Sequence, residues 1–545
     1  MGATSLRCCL GDKHSTADAM AAGVCGLRFD DSLSMMAGRI STLPESVGGA
    51  TRFESLIAEQ VGNVLNESGL TLSDPAVQLF ISTTKGNVEL LAGGCDPLPA
   101  GVRLHESARR VAAMFGCARE PVVISNACIS GLSAMIAARR MLLDGCCRHA
   151  VVAGCDVLSE FIASGFASFK SVSGGPCRPY DSERDGLTLG EACGAVVLTS
   201  DRSFADAAGI CLAGGAVTND ANHISGPSRT GDGLHYAIEG ALAEAGITAA
   251  EAGFVNAHGT ATLYNDEMES KALALSSLAD TPMNGLKGYI GHTLGASGVV
   301  EAVLCAEQLR RGFIFGTCGF ASTGTSVGLR ISAGRQSIAR RSCIKTASGF
   351  GGCNAAIVLT MEETNGARRC EREAERAAVY ELPWSELPFE EFIRREFRSL
   401  GEPNMKFYKM SDLCKAVYVS AENLLRGFDM TEYAPSRRAV ILANSISSLE
   451  CDAEHQRILN EHLPEGASPA VFVYTLPNVA AGEVCIRHGM KGDNTFFIEA
   501  ADDGMAVRYA RRLIETGVAD VAVCGWCEKW GEEWNVKLEL LKLKQ

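Results

Sequence analysis

The sequence predicts an α/β protein with largely buried sheets that ends in an extra, partly repeated α/β unit. Three observations carry this. First, apolar strand-like runs (VQLFIST, PVVISN, HAVVAG, GAVVLTS, AAIVLTM) alternate with Ala-rich helical stretches such as SAMIAARRMLLDG and GVVEAVLCAEQLRRG, as they do where helices cover the faces of a sheet. Second, 58 glycines supply the many tight strand-to-helix turns that such an alternation needs. Third, residues 496–526, FFIEAADDGMAVRYARRLIETGVADVAVCGW, repeat the layout of residues 122–156, VVISNACISGLSAMIAARRMLLDGCCRHAVVAGCD. Each has an apolar run, a small-residue turn, an Ala-Arg-Arg helix, a Gly and a second apolar run.

Residues 1–205 hold the first alternation, with Cys128 in the turn after PVVIS. Residues 206–362 hold a second one, with two histidine motifs. After AAIVLTM comes EETNGARRCEREAERAAVYE, a highly charged stretch without an apolar face. It reads as a linker or a solvated helix over 363–395. The apolar pattern resumes over 396–545 with KAVYVSAENLL and RRAVILANSI, then closes on the repeat. Matching Gly131 to Gly504 sets Cys128 against Ala501, and matching the Ala-Arg-Arg segments sets it against Ala500. On either match the repeat lacks the nucleophile.

Composition narrows the function. A formal net charge of -14 leaves no broad basic surface for a phosphate backbone, and no finger, basic-zipper or RNA-binding pattern is present, so a nucleic-acid role is not expected. No apolar run approaches the ~18 residues a membrane span needs. The opening MGATSLRCCLGDKH lacks the layout of a signal peptide, and Leu6 stands where myristoylation requires Ser or Thr. A cytoplasmic location is expected, with the 22 cysteines mostly reduced and most of them small packing residues.

Cys128 lies between the strand PVVIS and a helix beginning near Gly131, so its sulfur falls at a helix N-terminus, where the dipole is expected to favour the thiolate. His258 stands in VNAHGTATLYNDEMES and His292 in GLKGYIGHTLGASGVVEA, each between an apolar run and a small-residue turn. A lone buried Cys or His is more often structural than catalytic. Asp266 and Glu269 in YNDEMES fit the acidic first turn of a helix. CGWC over 524–527 has the spacing of a redox pair, but it falls at the end of an apolar run with no helix start close behind, and no second ligand pair points to zinc.

Taken in order, NACISG, RPYDSERDGLTLGEACG, VNAHGT with its following ND, KGYIGHTLGASG with its following E, and GFGGCNAA resemble the beta-ketoacyl-acyl carrier protein synthases, the elongating condensing enzymes of the thiolase superfamily. The resemblance covers about residues 10 to 362. It implies a thiolase-like five-layer α-β-α-β-α fold, with an extra half-thiolase-like domain in the tail. It also implies decarboxylative Claisen condensation of an acyl thioester on Cys128 with malonyl-acyl carrier protein. His258 and His292 would bind the enolate oxygen, Lys287 and Glu301 would form a supporting ion pair, and Phe350 would be the gate and a backbone oxyanion donor. Arg184, Asp185 and Glu191 would be architectural. The partners implied are an acyl carrier protein and malonyl and acyl thioesters, with no cofactor and no metal.

The chain departs from the family in three places. The first strand reads as shortened or supplied differently, Ser348 replaces an aromatic residue and Cys353 replaces a Thr. The two histidines disfavour both a thiolase, which would use a second Cys, and the initiating synthases, which use His and Asn. The tail resembles half of a chain-length factor, and a wholly non-catalytic partner protein is the alternative reading of the chain. Because the family pairs its N-terminal halves through the strand before the nucleophile, EPVVIS and NTFFIE are expected to pair antiparallel within one chain, as an intrachain pseudo-dimer. The runner-up is a conventional homodimer.

Overall fold

The computed structural model describes residues 1–42, 48–94, 96–362, 364, 372–401, 404–462 and 466–544. In the first unit the strands are β1 (Thr4–Cys8), β2 (Gly11–Asp12), β3 (Val77–Ser82), β4 (Val122–Ile124), β5 (His149–Asp156) and β6 (Ala192–Thr199). The second contributes β7 (Cys211–Asn219), β8 (Phe254–Asn256), β9 (Met283–Asn284), β10 (Ser342–Gly349) and β11 (Cys353–Thr360). The tail adds β12 (Ala374–Glu381), β13 (Arg438–Asn444), β14 (Phe496–Ile498), β15 (Val521–Trp530) and β16 (Glu533–Leu543). The main helices are α1 (Arg52–Ser68), α2 (Ser130–Leu143), α3 (Asp232–Ala245), α4 (Leu263–Leu275), α5 (Ser297–Arg311), α6 (Phe389–Ser399), α7 (Asp412–Leu424), α8 (Pro469–Val473), α9 (Asn478–His488) and α10 (Met505–Glu515).

Two sheets organise these elements. One has eleven strands in the order β12-β16-β15-β13-β14-β4-β3-β5-β6-β1-β2, and the other has five in the order β7-β11-β10-β8-β9. Helices α2 and α5 lie between the sheets, touching β5 on one side and β10 or β11 on the other, while α1 covers the outer face of the large sheet and α3 with α4 that of the small one. This is the helix–sheet–helix–sheet–helix layering implied by the family resemblance. The two central helices approach closely because both present glycine: a Cβ on Gly131 of α2 would lie 2.7 Å from the Val299 nitrogen of α5. On the outside, α1 begins with a Thr51–Glu54 capping box and ends at Gly69 with φ 71°, which satisfies its terminal backbone groups.

The tail extends the large sheet within the same chain. Strands β14 and β4 pair antiparallel, with Phe497 opposite Ile124 and Ile498 opposite Val123. Side chains tie the same seam: Arg140 meets Asp493 at 2.7 Å, Lys85 meets Asp452 at 2.6 Å, and Asn126 Nδ2 donates to the Asn494 carbonyl at 2.8 Å.

Two sequence expectations are corrected. A strand does precede the first turn, since β1 pairs along its five residues with β6. Within 363–395, residues 363 and 365–371 lie outside the described residues, but 374–381 form β12 and α6 starts at Phe389. The charges of AERAAVYE belong to an edge strand, where charged side chains discourage further pairing.

Candidate active site

Strand β4 carries the chain into the interior, and residues 125–129 turn it into α2. Ala127 in this turn adopts φ 48° and is fully buried, a conformation that is costly for a residue with a Cβ and is held here by the surrounding packing. The turn aims the Cys128 sulfur at His292, whose Nε2 lies 3.0 Å away. The rings of His258 and His292 stand at 87° with centroids 5.1 Å apart, and the ligating atoms of Cys128, His258 and His292 all fall within 4.8 Å of one another. The structure thus brings together three residues that are separated by 130 and 34 positions in the sequence.

The protonation states follow from the neighbours. Burial, reinforced by the charge of Lys287, drives the His258 pKa well below the ordinary value. Burial and the charges of Lys287 and Lys345 do the same to His292. Both imidazoles are therefore neutral near pH 7. Lys287 Nζ lies 3.2 Å from His258 Nδ1 and donates to the His258 carbonyl at 2.6 Å. An ammonium has only donors, so Nδ1 of His258 accepts and the ring proton sits on Nε2, facing the cluster. His292 Nδ1 lies 3.1 Å from Ser297 Oγ, a hydroxyl that can accept or donate and so serves either tautomer.

Cys128 departs from the sequence expectation. Burial pushes its thiol up to about 12, with Lys287 opposing, so desolvation outweighs the helix N-terminus and the resting sulfur is a thiol. Neutral His292 is the group in reach of its proton.

Lys287 and Glu301 form the expected ion pair at 2.8 Å, with both side chains buried. The carboxylate also meets Lys345 at 2.5 Å. Burial alone would raise the Glu301 pKa, but the two ammonium groups reverse this and hold it below the usual value. Lys345 was missed in the sequence. Its signal was a lone lysine inside the apolar run SCIKTASG, a position that requires a buried counter-charge. Glu269 accepts from the backbone amides of His258 and Gly259 at 2.8 and 2.7 Å, and Asp266 accepts from those of Tyr180 and Ala261. These carboxylates hold the histidine turn in place. Arg184 donates to the Gly324 carbonyl, Asp185 accepts from Ser173, and Glu191 accepts from the Ile40 and Leu158 amides.

Gly349 packs against Cys128, and a Cβ there would lie 3.0 Å from the Cys128 nitrogen. Among the described residues neither the Cys128 nor the Phe350 amide donates to an acceptor elsewhere in the chain. The Phe350 loop is held from the tail: Asn478 Nδ2 of α9 donates to the Phe350 carbonyl at 2.8 Å. Phe472 of α8 joins an aromatic cluster with Phe166 and Phe169, both of which contact the Phe350 ring. No sequence motif pointed to Asn478 or Phe472, because only the fold carries the tail to this loop. Ser348 is buried and donates to Asn354 Oδ1 at 2.7 Å, while Cys353 Sγ lies 3.2 Å from the Phe350 carbonyl.

The Cys-His-His donors are close enough for a metal ion, but His258 Nδ1 is taken by Lys287, and the buried ammonium groups of Lys287 and Lys345 oppose a cation. Cys524 and Cys527 are both buried within β15, three positions apart and so on opposite faces of the strand, where they cannot act as one redox pair. All cysteines among the described residues are free, and no helix among those residues is long and apolar enough to cross a membrane.

The fold and the site define a protein of the thiolase-like class. Residues 50–203 match the family described as beta-ketoacyl synthase, N-terminal domain, and residues 210–321 match its C-terminal domain. The chain is 31% identical over 328 residues to 3-oxoacyl-acyl-carrier-protein synthase 2 of Vibrio cholerae, covering 54% of this chain and 79% of that one. The chain belongs to the beta-ketoacyl synthase family. It is 33% identical to the synthase 2 of Rhizobium meliloti over 43% of its own length, but spans only 59% of that relative. Among solved structures, the ketosynthase ApeO in complex with its chain length factor ApeC from Xenorhabdus doucetiae is 25% identical with a TM-score of 0.58, covering 66% of this chain and 97% of that one. A structure described as the PfaC keto synthase-chain length factor is 14% identical but matches 99% of this chain and 78% of its own, with a TM-score of 0.78. The whole chain, tail included, shares that fold.

Proposed function

We propose that this chain is an elongating condensing enzyme that joins an acyl group held on Cys128 to malonyl-acyl carrier protein with loss of carbon dioxide, in fatty acid or polyketide/aryl-polyene type synthesis. The observation that carries the reading is the 3.0 Å approach of Cys128 Sγ to a neutral His292, with neutral His258 beside it. Cys128 gives its proton to His292 Nε2 and attacks the acyl thioester, and the departing carrier thiolate takes that proton back. The oxyanion formed on the acyl carbon is held by the Cys128 and Phe350 amides.

In the second half-reaction the malonyl carboxylate leaves as carbon dioxide and its bonding electrons pass to the thioester as an enolate. For this step the His292 proton shifts from Nδ1 to Nε2, with Ser297 Oγ then donating to Nδ1, so that the Nε2–H groups of His258 and His292 bind the enolate oxygen. The enolate carbon attacks the acyl-Cys128 carbon, the C–S bond breaks, and the Cys128 thiolate that leaves takes a proton from water to return to the thiol. The Lys287–Glu301–Lys345 network fixes the His258 tautomer through which this works. The tail takes the part of a chain-length-factor half, supporting the nucleophile strand and the Phe350 loop without chemistry of its own. We place the reaction in the cytoplasm, where free cysteines persist.

Intact-protein mass spectrometry with a panel of acyl-loaded carriers and malonyl carrier tests this. The native chain gains one acyl mass and releases an elongated product, and Cys128→Ala gains none. If the native chain acquires no acyl mass from any carrier, the enzyme reading fails and the non-catalytic partner reading replaces it.

A further inference from the structure

A cleft of about 920 Å³ lies far from the candidate active site, between the C-terminal ends of α2 and α10 and the outer side of α3. Helix α2 spans Ser130–Leu143, so the end bearing the cleft is roughly 20 Å from the end bearing Cys128, at 1.5 Å of rise per residue. The volume suits a small organic ligand. Its lining contains eight arginines against four carboxylates, Asp144, Glu239, Glu244 and Asp493, on a chain whose net charge is -14. A local positive excess on an acidic protein focuses the field on an incoming anion.

Part of that excess is spent on the fold. Arg512 bridges to Asp144 at 2.6 Å across the cleft, Arg139 pairs with Glu244 at 2.7 Å, and Arg437 holds Asp520 at 2.8 Å. Two half-buried arginines of the lining are left with capacity: among the described residues Arg119 donates only to the Cys146 carbonyl and Arg511 only to the Ala374 carbonyl. A third, Arg140, is buried, with its side chain 10% exposed; its Nη1 meets Asp493 and the Tyr509 hydroxyl, while Nε and Nη2, both closed to solvent, have no hydrogen-bond partner among the described residues. A guanidinium buried with two unsatisfied nitrogens is unfavourable, and a neighbouring anion offsets its charge, while the planar fork of donors on Arg119 and Arg511 matches phosphate oxygens. Met141, Tyr236 and Met505 line the same cleft, giving an apolar surface beside the charge.

We propose that this cleft binds a phosphorylated small molecule with an apolar or ring portion: the phosphate meets Arg119 and Arg511 in the field of the buried Arg140, and the ring lies against Met141, Tyr236 and Met505. The proposal is independent of the reaction assigned to Cys128. Because the cleft is walled by α2 and α3 on one side and by α10 of the tail on the other, its occupant would also brace the tail against the rest of the chain.

Isothermal titration calorimetry of the full chain with adenosine diphosphate, inorganic pyrophosphate and adenosine tests it. Adenosine diphosphate binds at one site per chain, and adenosine binds at least about tenfold more weakly for want of charge-assisted bonds. The doubly substituted Arg119→Gln, Arg511→Gln chain loses at least about tenfold in diphosphate affinity while its melting temperature and its acyl loading stay as in the parent. Arg140→Gln, if it folds, weakens binding through loss of its charge, and the double variant decides the matter if it does not. No saturable heat from adenosine diphosphate or pyrophosphate up to about 1 mM, or an affinity unchanged by the double substitution, would overturn the proposal.

Discussion

The unit built from β4, Cys128 and α2 and the unit built from β14 and α10 share one plan and sit side by side in the same sheet, yet only the first is roofed. Helix α2 lies between two sheets, and its residues from Ser130 to Ala138 are all buried. Helix α10 has only one sheet to pack on, so Met505, Arg508 and Arg511 lie outside its buried set. The turns differ in the same way: residues 125–127 are buried beneath the histidine loops and Gly349, whereas residues 500–503 are exposed. The tail turn is also one residue longer, since α10 starts at Met505 where β14 ends at Ile498. Counted from the strand, Cys128 corresponds to Asp502, not to the Ala500 or Ala501 given by sequence matching. Asp502 and Asp503 accept from the amides of Gly504 and Met505 at the start of α10. The same strand-turn-helix framework thus serves as a docking strand in the tail, and only in the first unit does a second sheet bring histidines over its turn.

The sharpest way to break that comparison is to move the sulfur. The double substitution Cys128→Ala, Asp502→Cys is expected to show no acyl mass in intact-protein spectrometry, because the new thiol has no histidine and no roof. Acylation of position 502 would show instead that the framework suffices. Next in size, His258→Ala removes the donor proposed for the enolate alone. Elongation should fall by about 10²–10³-fold while acyl loading of Cys128 is nearly retained, as read by single-turnover assays of the two half-reactions.

The thiol state gives a graded test. Burial disfavours the thiolate and places the Cys128 pKa at about 12, so the reactive fraction grows as pH rises. Alkylation of Cys128 by iodoacetamide should climb about tenfold per pH unit between pH 7 and 10, followed by peptide mass spectrometry. A plateau near pH 7 would mean a thiolate–imidazolium pair in place of two neutral groups. The smallest effect is expected from Asn478→Ala, which frees the Phe350 carbonyl from the tail at a cost of about 1 kcal/mol. Elongation should slow several-fold in steady-state kinetics with the melting temperature little changed. Loss of the whole fold would instead make Asn478 a core residue of the seam.

Much of the site was legible because its residues sit in short turns with a fixed neighbourhood: Cys128, His258 and His292 each follow an apolar strand, and their motifs keep family order. Lys345 was less legible because a buried lysine reads as an interruption until its carboxylate is placed. Asn478 and Phe472 were invisible, since the bond of Asn478 to the Phe350 carbonyl and the contacts of Phe472 with Phe166 and Phe169 cross more than a hundred residues and depend on how the tail is seated. The expected lowering of the Cys128 pKa failed because a helix N-terminus is a local feature and desolvation is not. The stretch AERAAVYE looked like a linker because an edge strand carries charges on both sides, so its period of two was concealed.

The central claim is that one chain supplies both strands of the seam, β4 and β14. A photoreactive leucine analogue in place of Val123, excited in a mixture of light- and heavy-isotope chains, tests it directly by peptide mass spectrometry. Val123 lies opposite Ile498, so the account predicts a crosslink to the Phe496–Ile498 peptide of the same isotope label. A crosslink to the Val122–Ile124 peptide of a differently labelled chain would contradict it.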